Sequence, residues 1–320
     1  LFAGKTVGVV VPAFNEERLI GRVLETLPAF VDRMVVVNDC SRDRTRDIIL
    51  AHAEKDPRIL LVDHEKNRGL GQSLIDGYLK GLELGMDVTV VMAGDAQMDP
   101  ADLPAVVGPV AEGKTDYVKG NRLLREDTAR SMPRFRFFGN SLLTLLTKFA
   151  TGYWHVIDPQ CGYTAISKKA LAAIPIREMT RGYGYNADIL NMLNLRSFRV
   201  RDVEVKAVYG EEKSRIKKRK YIPRVGWLLC RLWLKRIWRK YLIREFHPLI
   251  FFYLLSFICL VLIALPMFIR LVVIWAQQGF APSTTLIILL FSFMLGLMSF
   301  FFGMWMDMED NRRLCIRNED

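Results

Sequence analysis

Thr6-Val-Gly-Val-Val-Val-Pro12 is a run of β-branched residues closed by a proline, and Ala13-Phe-Asn-Glu-Glu17 follows it. A short apolar run without polar alternation predicts a buried strand. Asn15-Glu16-Glu17 then opens a helical pattern reaching about Leu27, with Leu19, Ile20, Val23, Leu24 and Leu27 on one face. The same alternation recurs further along. Met34 to Val37 predicts a second strand ending at Asn38-Asp39, and Asp43 to Lys55 a helix. Ile59 to Asp63 predicts a third strand, Gly71 to Leu84 a helix, and Val88 to Met92 a fourth strand ending at Gly94-Asp95. Strands alternating with helices at this interval predict an α/β domain with a mainly parallel, Rossmann-like sheet. Ligands of such sheets sit beyond the carboxyl ends of the strands. Asn15-Glu16, Asn38-Asp39 and Asp95-Ala96-Gln97 lie at three of those ends. One such cluster reads as a turn; three read as a binding edge.

Beyond Tyr117 the pattern is less regular. It predicts a strand at Tyr117–Lys119, a helix from about Arg136 to Thr151, a strand at Thr164–Ser167 and a last strand near Val203–Val208. This suggests a nucleotide-binding part and an acceptor part of one domain, residues 1–212.

The composition of the 320 residues, 51% hydrophobic and 25% charged, excludes a wholly disordered chain. The net charge of +11 is local. Lys213 to Arg244 holds 13 Lys and Arg with no Asp or Glu, and the rest of the chain carries 32 basic against 34 acidic residues. A basic stripe fits nucleic acid or anionic lipid headgroups. Its contact with an apolar run favours lipid, and no nucleic-acid module is recognisable. Residues 213–246 carry apolar side chains such as Ile222, Val225, Leu229, Leu232 and Ile237 at helical spacing, with Trp227, Trp233 and Trp238 among them. This predicts basic amphipathic helices in the headgroup layer.

From Pro248 to Met306 the single charged side chain is Arg270. Within this stretch, Pro248–Ile269 and Thr284–Met306 are uncharged runs of 22 and 23 residues, each long enough to cross about 30 Å of hydrocarbon as a helix. Residues 247–307 therefore read as a transmembrane hairpin turning at Gln277–Ser283, and 308–320 as a tail. The basic stripe and Arg312-Arg313 share one side, so the positive-inside rule places the domain and both ends in the cytoplasm. The five cysteines form no C-x-x-C pair and no zinc spacing, and read as free thiols of a reducing compartment.

Val10-Val-Pro-Ala-Phe-Asn-Glu-Glu17 followed by Val35-Val-Val-Asn-Asp-Cys-Ser-Arg-Asp43 resembles the opening of family 2 glycosyltransferases of the GT-A fold, roughly V-P-x-Y-N-E and then V-D-D-x-S-x-D. Asn67-Arg-Gly-Leu-Gly71 resembles the family's N-x-G-x-G block, and Asp95-Ala-Gln-Met-Asp-Pro100 its metal block, D-x-D-x-Q-x-P. With a hairpin after the domain, the chain is most similar to the polyprenol-phosphate sugar transferases, the dolichol-phosphate mannose synthase group.

The resemblance implies a nucleotide-sugar donor, GDP- or UDP-linked. Pro12, Phe14 and Glu16 would border the nucleoside and Asp39 would contact the base, while Lys213 and Arg215 would reach the donor phosphates. It also implies a divalent cation, Mg2+ or Mn2+, held by Asp95 and Gln97; Ala93 stands where the block's first aspartate falls. Arg122, Arg134, Arg136 and Asn140 would hold the acceptor phosphate, since guanidinium forks bind phosphate bidentately. Asp158 and Gly162 match a loop bordering the sugar, and Asp188 a position where related transferases carry an acid. Asp95, Arg122, Arg136 and Asp188 are thus the candidate catalytic residues. The partners expected are the donor, polyprenyl phosphate and the bilayer; a homo-oligomer is compatible with the sequence. The expected reaction is inverting hexosyl transfer to polyprenyl phosphate. Transfer to a hydroxyl on a glycolipid, with Asp188 or Asp158 as base, and an inactive scaffold are the alternatives.

Overall fold

The computed structural model describes residues 1–124, 134–182, 184–206 and 218–316, with the side chains of 134–140 and 218–222 outside the description. The chain divides into two compact units, Leu1–Trp233 with Leu314–Asp320, and Leu234–Arg313.

The first unit is built on an eight-stranded sheet in the order β3-β2-β1-β4-β6-β5-β7-β8. Its strands are β1 (Val7–Ala13), β2 (Arg33–Asn38), β3 (Ile59–Asp63), β4 (Val88–Val91), β5 (Tyr117–Asn121), β6 (Thr164–Ser167), β7 (Val200–Glu204) and β8 (Cys315–Ile316). β1 pairs parallel with β2 and β4, and β2 with β3. β6 is antiparallel to both β4 and β5, which turns the second half mixed. Every residue of β1 is buried, because helices cover both faces of the sheet. Its valines alternate between the two layers, as a two-residue period requires. Val7, Val9 and Val11 join one core with Ile20, Val36 and Val90, while Val10 joins the other with Val35, Leu74, Tyr78 and Leu190.

The helices of this unit are α1 (Ile20–Thr26), α2 (Thr45–Ala53), α3 (Leu70–Glu83), α4 (Leu103–Ala111), α5 (Arg134–Thr151), α6 (Lys168–Ala173), α7 (Tyr185–Leu195) and α8 (Lys218–Arg236), the last continuing past Trp233. α5, α7 and α8 share a small core of Ala150, Ala187, Val225, Leu229 and Leu232. Buried Asn191 cross-links it, donating its amide to the carbonyls of Ala150 (2.9 Å) and Leu232 (3.0 Å). α5 leaves Leu142, Leu145 and Leu146 exposed, beside exposed Ile157. β7 begins earlier than its apolar pattern suggested, because Val200 is the buried residue that pairs with Tyr117; residues 207 and 208 of the expected strand lie outside the described residues.

The second unit holds two helices long and apolar enough to cross a membrane, Leu249–Gln278 and Ser283–Leu314. Only 11% and 22% of their most apolar windows are buried, unlike the core helix of a soluble protein. In the first, a π-helical stretch, Ile258–Ala264, runs up to Pro266, which has no N–H to complete an α-helical bond. In the second, Ser292, Gly296, Ser299 and Gly303 form a buried small-residue stripe, and a side chain at Gly296 would strike Leu260. Small residues let such helices approach closely where lipid offers no hydrophobic drive. Ahead of them, π-helical Ile237–Arg244 is bound to the end of the second helix by buried charge. Arg236 pairs through both Nη atoms with Asp307, Lys240 reaches Asp310 (2.6 Å) and Asn311 (2.8 Å), and the Tyr241 hydroxyl donates to Asp307 (2.6 Å).

Candidate active site

The loops after β1 and β2 are stapled together. Asn15 adopts φ 57° and Cys40 φ 58°, the left-handed turns that end both strands sharply. The Asn15 amide N–H donates to Ser41 Oγ (3.0 Å), and Asn15 Oδ1 accepts from the Arg42 N–H (2.8 Å). The Glu16 N–H donates to Thr45 Oγ1 (2.8 Å) and the Glu17 N–H to Asp43 Oδ2 (3.2 Å). Burial raises the Asp43 carboxyl, but hydrogen bonds from Thr45 and Glu17 outweigh it and hold the group below its ordinary range. Pro12 lies within β1 opposite Val37, and Phe14 emerges just past the strand, partly exposed.

Asp39 is buried at the end of β2 and densely bonded. Its Oδ1 accepts from the Arg68 N–H and lies 2.8 Å from His64 Nδ1; its Oδ2 accepts from the Gly69 N–H (2.8 Å). Neighbouring Asn38 turns to β3 instead, donating its amide to Asp63 Oδ1 (2.7 Å). Burial raises the Asp63 carboxyl, and the bonds from Arg46 and Asn38 bring it below its ordinary range.

Gly69 has φ 88° and stands just before α3, in whose first turn Gly71 lies. Both positions face the backbone of Thr180 and Arg181: the Gly71 N–H donates to the Arg181 carbonyl (2.9 Å), and a Cβ on Gly71 would lie 2.6 Å from Arg181 C. Thr180 in turn donates through its N–H (2.8 Å) and Oγ1 (2.7 Å) to Asp188 Oδ2 in the first turn of α7. One chain of contacts therefore runs from Asp39 through the glycine block to Asp188.

After β4, Ala96 adopts φ 54° and the Gln97 N–H donates to Asp95 Oδ1 (3.1 Å). Asp99 is a turn residue: its Oδ1 accepts from the Ala101 N–H (3.0 Å) and caps a short 3-10 helix. Among the described residues no three His, Cys, Asp or Glu side chains converge as a metal cage. One carboxylate from Asp95 and one amide oxygen from Gln97 still suit a Mg2+-type ion, which takes one or two protein carboxylates plus substrate phosphates.

At the end of β5, Arg122 forks onto buried Asp158, Nε to Oδ2 (2.7 Å) and Nη2 to Oδ1 (3.1 Å), while its backbone N–H also points at Oδ2 (3.3 Å). Gly162 lies against Met98 and the Tyr185 hydroxyl, so the loops after β4 and before β6 meet at the start of α7. Below them Lys119 is fully buried, donating to the Cys161 carbonyl and to Asn186 Oδ1 (2.6 Å). Burial lowers its ammonium to about 8. The side chains of Arg134, Arg136 and Asn140, all on the first half of α5, and the whole of Lys213 and Arg215 lie outside the described residues.

The sequence reading missed His64, Lys119 and Thr180. His64 had a usable signal, since Asp63-His64 is a further polar pair where a predicted strand ends. Lys119 had none, because a lysine in a short strand reads as an exposed edge residue.

The sequence profile of Glycosyl transferase family 2 matches residues 8–174. The chain belongs to this family. It is accordingly a glycosyltransferase, and its α/β unit is a GT-A domain. A relative from Methanococcus voltae, UDP-N-acetylglucosamine--dolichyl-phosphate N-acetylglucosaminyltransferase, is 29% identical over 65% of this chain and 88% of its own length. The undecaprenyl-phosphate mannosyltransferase of Micrococcus luteus is 30% identical over 56% of this chain and 74% of its own. Among solved structures, glucosyl-3-phosphoglycerate synthase from Mycobacterium tuberculosis, crystallised with Mn2+, UDP and glucosyl-3-phosphoglycerate, shares the fold with a TM-score of 0.56. That match is 21% identical and covers 73% of this chain and 80% of the synthase.

Proposed function

We propose that this family 2 enzyme moves a hexose from a GDP- or UDP-linked nucleotide sugar to polyprenyl phosphate, with inversion, at the cytoplasmic face of a membrane. The observation that carries the reading is a GT-A domain related to dolichyl- and undecaprenyl-phosphate transferases in one chain with two long, mostly exposed apolar helices. Exposed Leu142, Leu145 and Leu146 suit a domain working against lipid. The one-sided basic residues support the cytoplasmic orientation.

On this reading Pro12, Phe14 and Glu16 line the nucleoside and Asp39 meets the base, its carboxylate held rigid by three donors before the ligand arrives. Lys213 and Arg215 neutralise the donor phosphates. Asp95 and Gln97 hold the divalent cation, which when bound offsets the charge of the leaving diphosphate. A phosphate monoester is mainly dianionic at neutral pH, its second pKa being about 6, so the acceptor can attack the anomeric carbon without a general base. The chain's task is to place and neutralise it. Arg122 enters as a cation already oriented by Asp158, and Arg134, Arg136 and Asn140 extend the site along α5. Gly162 lets the sugar-bordering loop approach Tyr185. Asp188, with two bonds from Thr180, positions the loop ahead of α7, and Asp158 is taken up by the Arg122 fork; with both candidate bases so engaged, the phosphate acceptor is favoured over a hydroxyl acceptor.

The test is a donor panel (UDP-glucose, UDP-N-acetylglucosamine, GDP-mannose) with purified protein in detergent and Mg2+ or Mn2+, measuring product lipid. Polyprenyl phosphate should be glycosylated and unphosphorylated polyprenol should not. Transfer confined to a hydroxyl acceptor would refute the reading.

A further inference from the structure

His64 stands one residue past β3 with its ring buried between two carboxylates. Nδ1 lies 2.8 Å from Asp39 Oδ1 and Nε2 3.0 Å from Asp76 Oδ2; the side chains of His64 and Asp39 are 4% and 5% exposed. A neutral imidazole carries one N–H, so the ring donates to both carboxylates only as the imidazolium. Asp76 is itself anchored. Gln72 Nε2, one turn earlier on α3, donates to its two oxygens (3.0 and 3.1 Å), and Arg68 Nη1 reaches Oδ2 (3.2 Å). Arg68 also gives its backbone N–H to Asp39. The loop after β3, the first turns of α3 and the end of β2 are thus tied through one ring.

We infer that His64 is a positioning residue for the donor base: it braces Asp39 against α3. An ionised carboxylate accepts hydrogen bonds and has none to give. It favours a nucleobase that presents a ring N–H, as uracil N3 and guanine N1 do, over one that presents a ring lone pair there, as cytosine N3 and adenine N1 do. The inference rests on the proposal that Asp39 meets the base.

Two substitutions separate this role from a structural one. By bond count the amide nitrogen of asparagine falls where Nδ1 stands, and that of glutamine where Nε2 stands. His64→Asn therefore keeps a donor to Asp39, and His64→Gln keeps one only to Asp76. Binding of UDP and GDP with Mg2+ is measured by calorimetry on full-length wild type and variants in detergent, with donor KM and kcat alongside. His64→Gln should weaken the bound nucleotide at least about tenfold, the scale of one charged hydrogen bond, and raise donor KM with little change in kcat. His64→Asn should lose several-fold less. Asp76→Asn, at a partly exposed position, should weaken the nucleotide about threefold by releasing the far side of the ring. Equal losses for the two His64 variants, a fall in kcat at unchanged KM, or wild-type affinity in His64→Gln or in Asp76→Asn would overturn the inference while leaving the proposed function intact. If wild type bound neither nucleotide, the donor-site reading would fall and the inference with it.

Discussion

Removing Arg122 should cost more than neutralising its partner. In Arg122→Ala, Asp158 stays in a site where the residue is 4% exposed and loses both side-chain donors. Breaking a fully buried pair this way costs about 3–5 kcal/mol. The Arg122 side chain is 35% exposed, so solvent already screens part of the interaction, and about 2–3 kcal/mol is the reasonable figure. Asp158→Asn retains the shape and an acceptor oxygen and leaves a guanidinium that water can reach, so about 1 kcal/mol is expected. The double mutant should then show a coupling of about 1.5 kcal/mol. Urea unfolding in detergent, followed by circular dichroism, measures all three. Arg122→Lys adds a functional arm, because a point charge replaces a fork: acceptor KM should rise while nucleotide affinity stays near wild type. Equal costs for the two single variants, or a coupling below about 0.5 kcal/mol, would refute the argument that the buried carboxylate depends on this cation.

Asp95→Asn should reduce turnover on the order of 100-fold and Asp99→Asn only slightly, since Asp99 caps a turn; the reverse order in a metal titration would move the cation. Gly71→Ala must push aside the Thr180–Arg181 backbone, so it should destabilise by about 2–3 kcal/mol and lower kcat by displacing the Thr180–Asp188 contact, checked by denaturation and steady-state kinetics. Lys119 has a folded pKa of about 8 against an ordinary 10.5, so its proton is lost earlier in the folded state and stability should rise by about 3 kcal/mol between pH 8 and 10.5. Lys119→Met should flatten that rise in a pH series of unfolding curves. A cysteine placed at Gln278, in a background without reactive thiols, should be labelled from outside intact cells, and one at Arg312 should not.

The βα repeats up to β4 were legible because each strand is a bare apolar run and each helix an amphipathic one. α4 was hidden by Pro104 and Pro109, which read as breakers although one sits in its first turn and the other is accommodated inside. α7 was hidden for another reason. Ten consecutive residues from Tyr185 to Asn194 are buried, including Asn186, Asn191 and Asn194, so no polar face marks its period. β8 is two residues long and pairs only because the chain returns to β7. In the site, the residues at strand ends could be read from their type and place. The contacts that fix them could not, because Gly71 to Thr180 and Arg122 to Asp158 join segments far apart in sequence.

Asn38 stands where the related pattern carries the first aspartate of a pair, and its amide donates across the strand end to Asp63. An aspartate there would set two carboxylates at hydrogen-bonding distance with one proton between them. Arg46, already on Asp63 Oδ2 (2.6 Å), and the partial exposure of Asp63 are what such a pair would lean on. The two positions are thus energetically coupled: Asn38→Asp should cost more alone than together with Asp63→Asn.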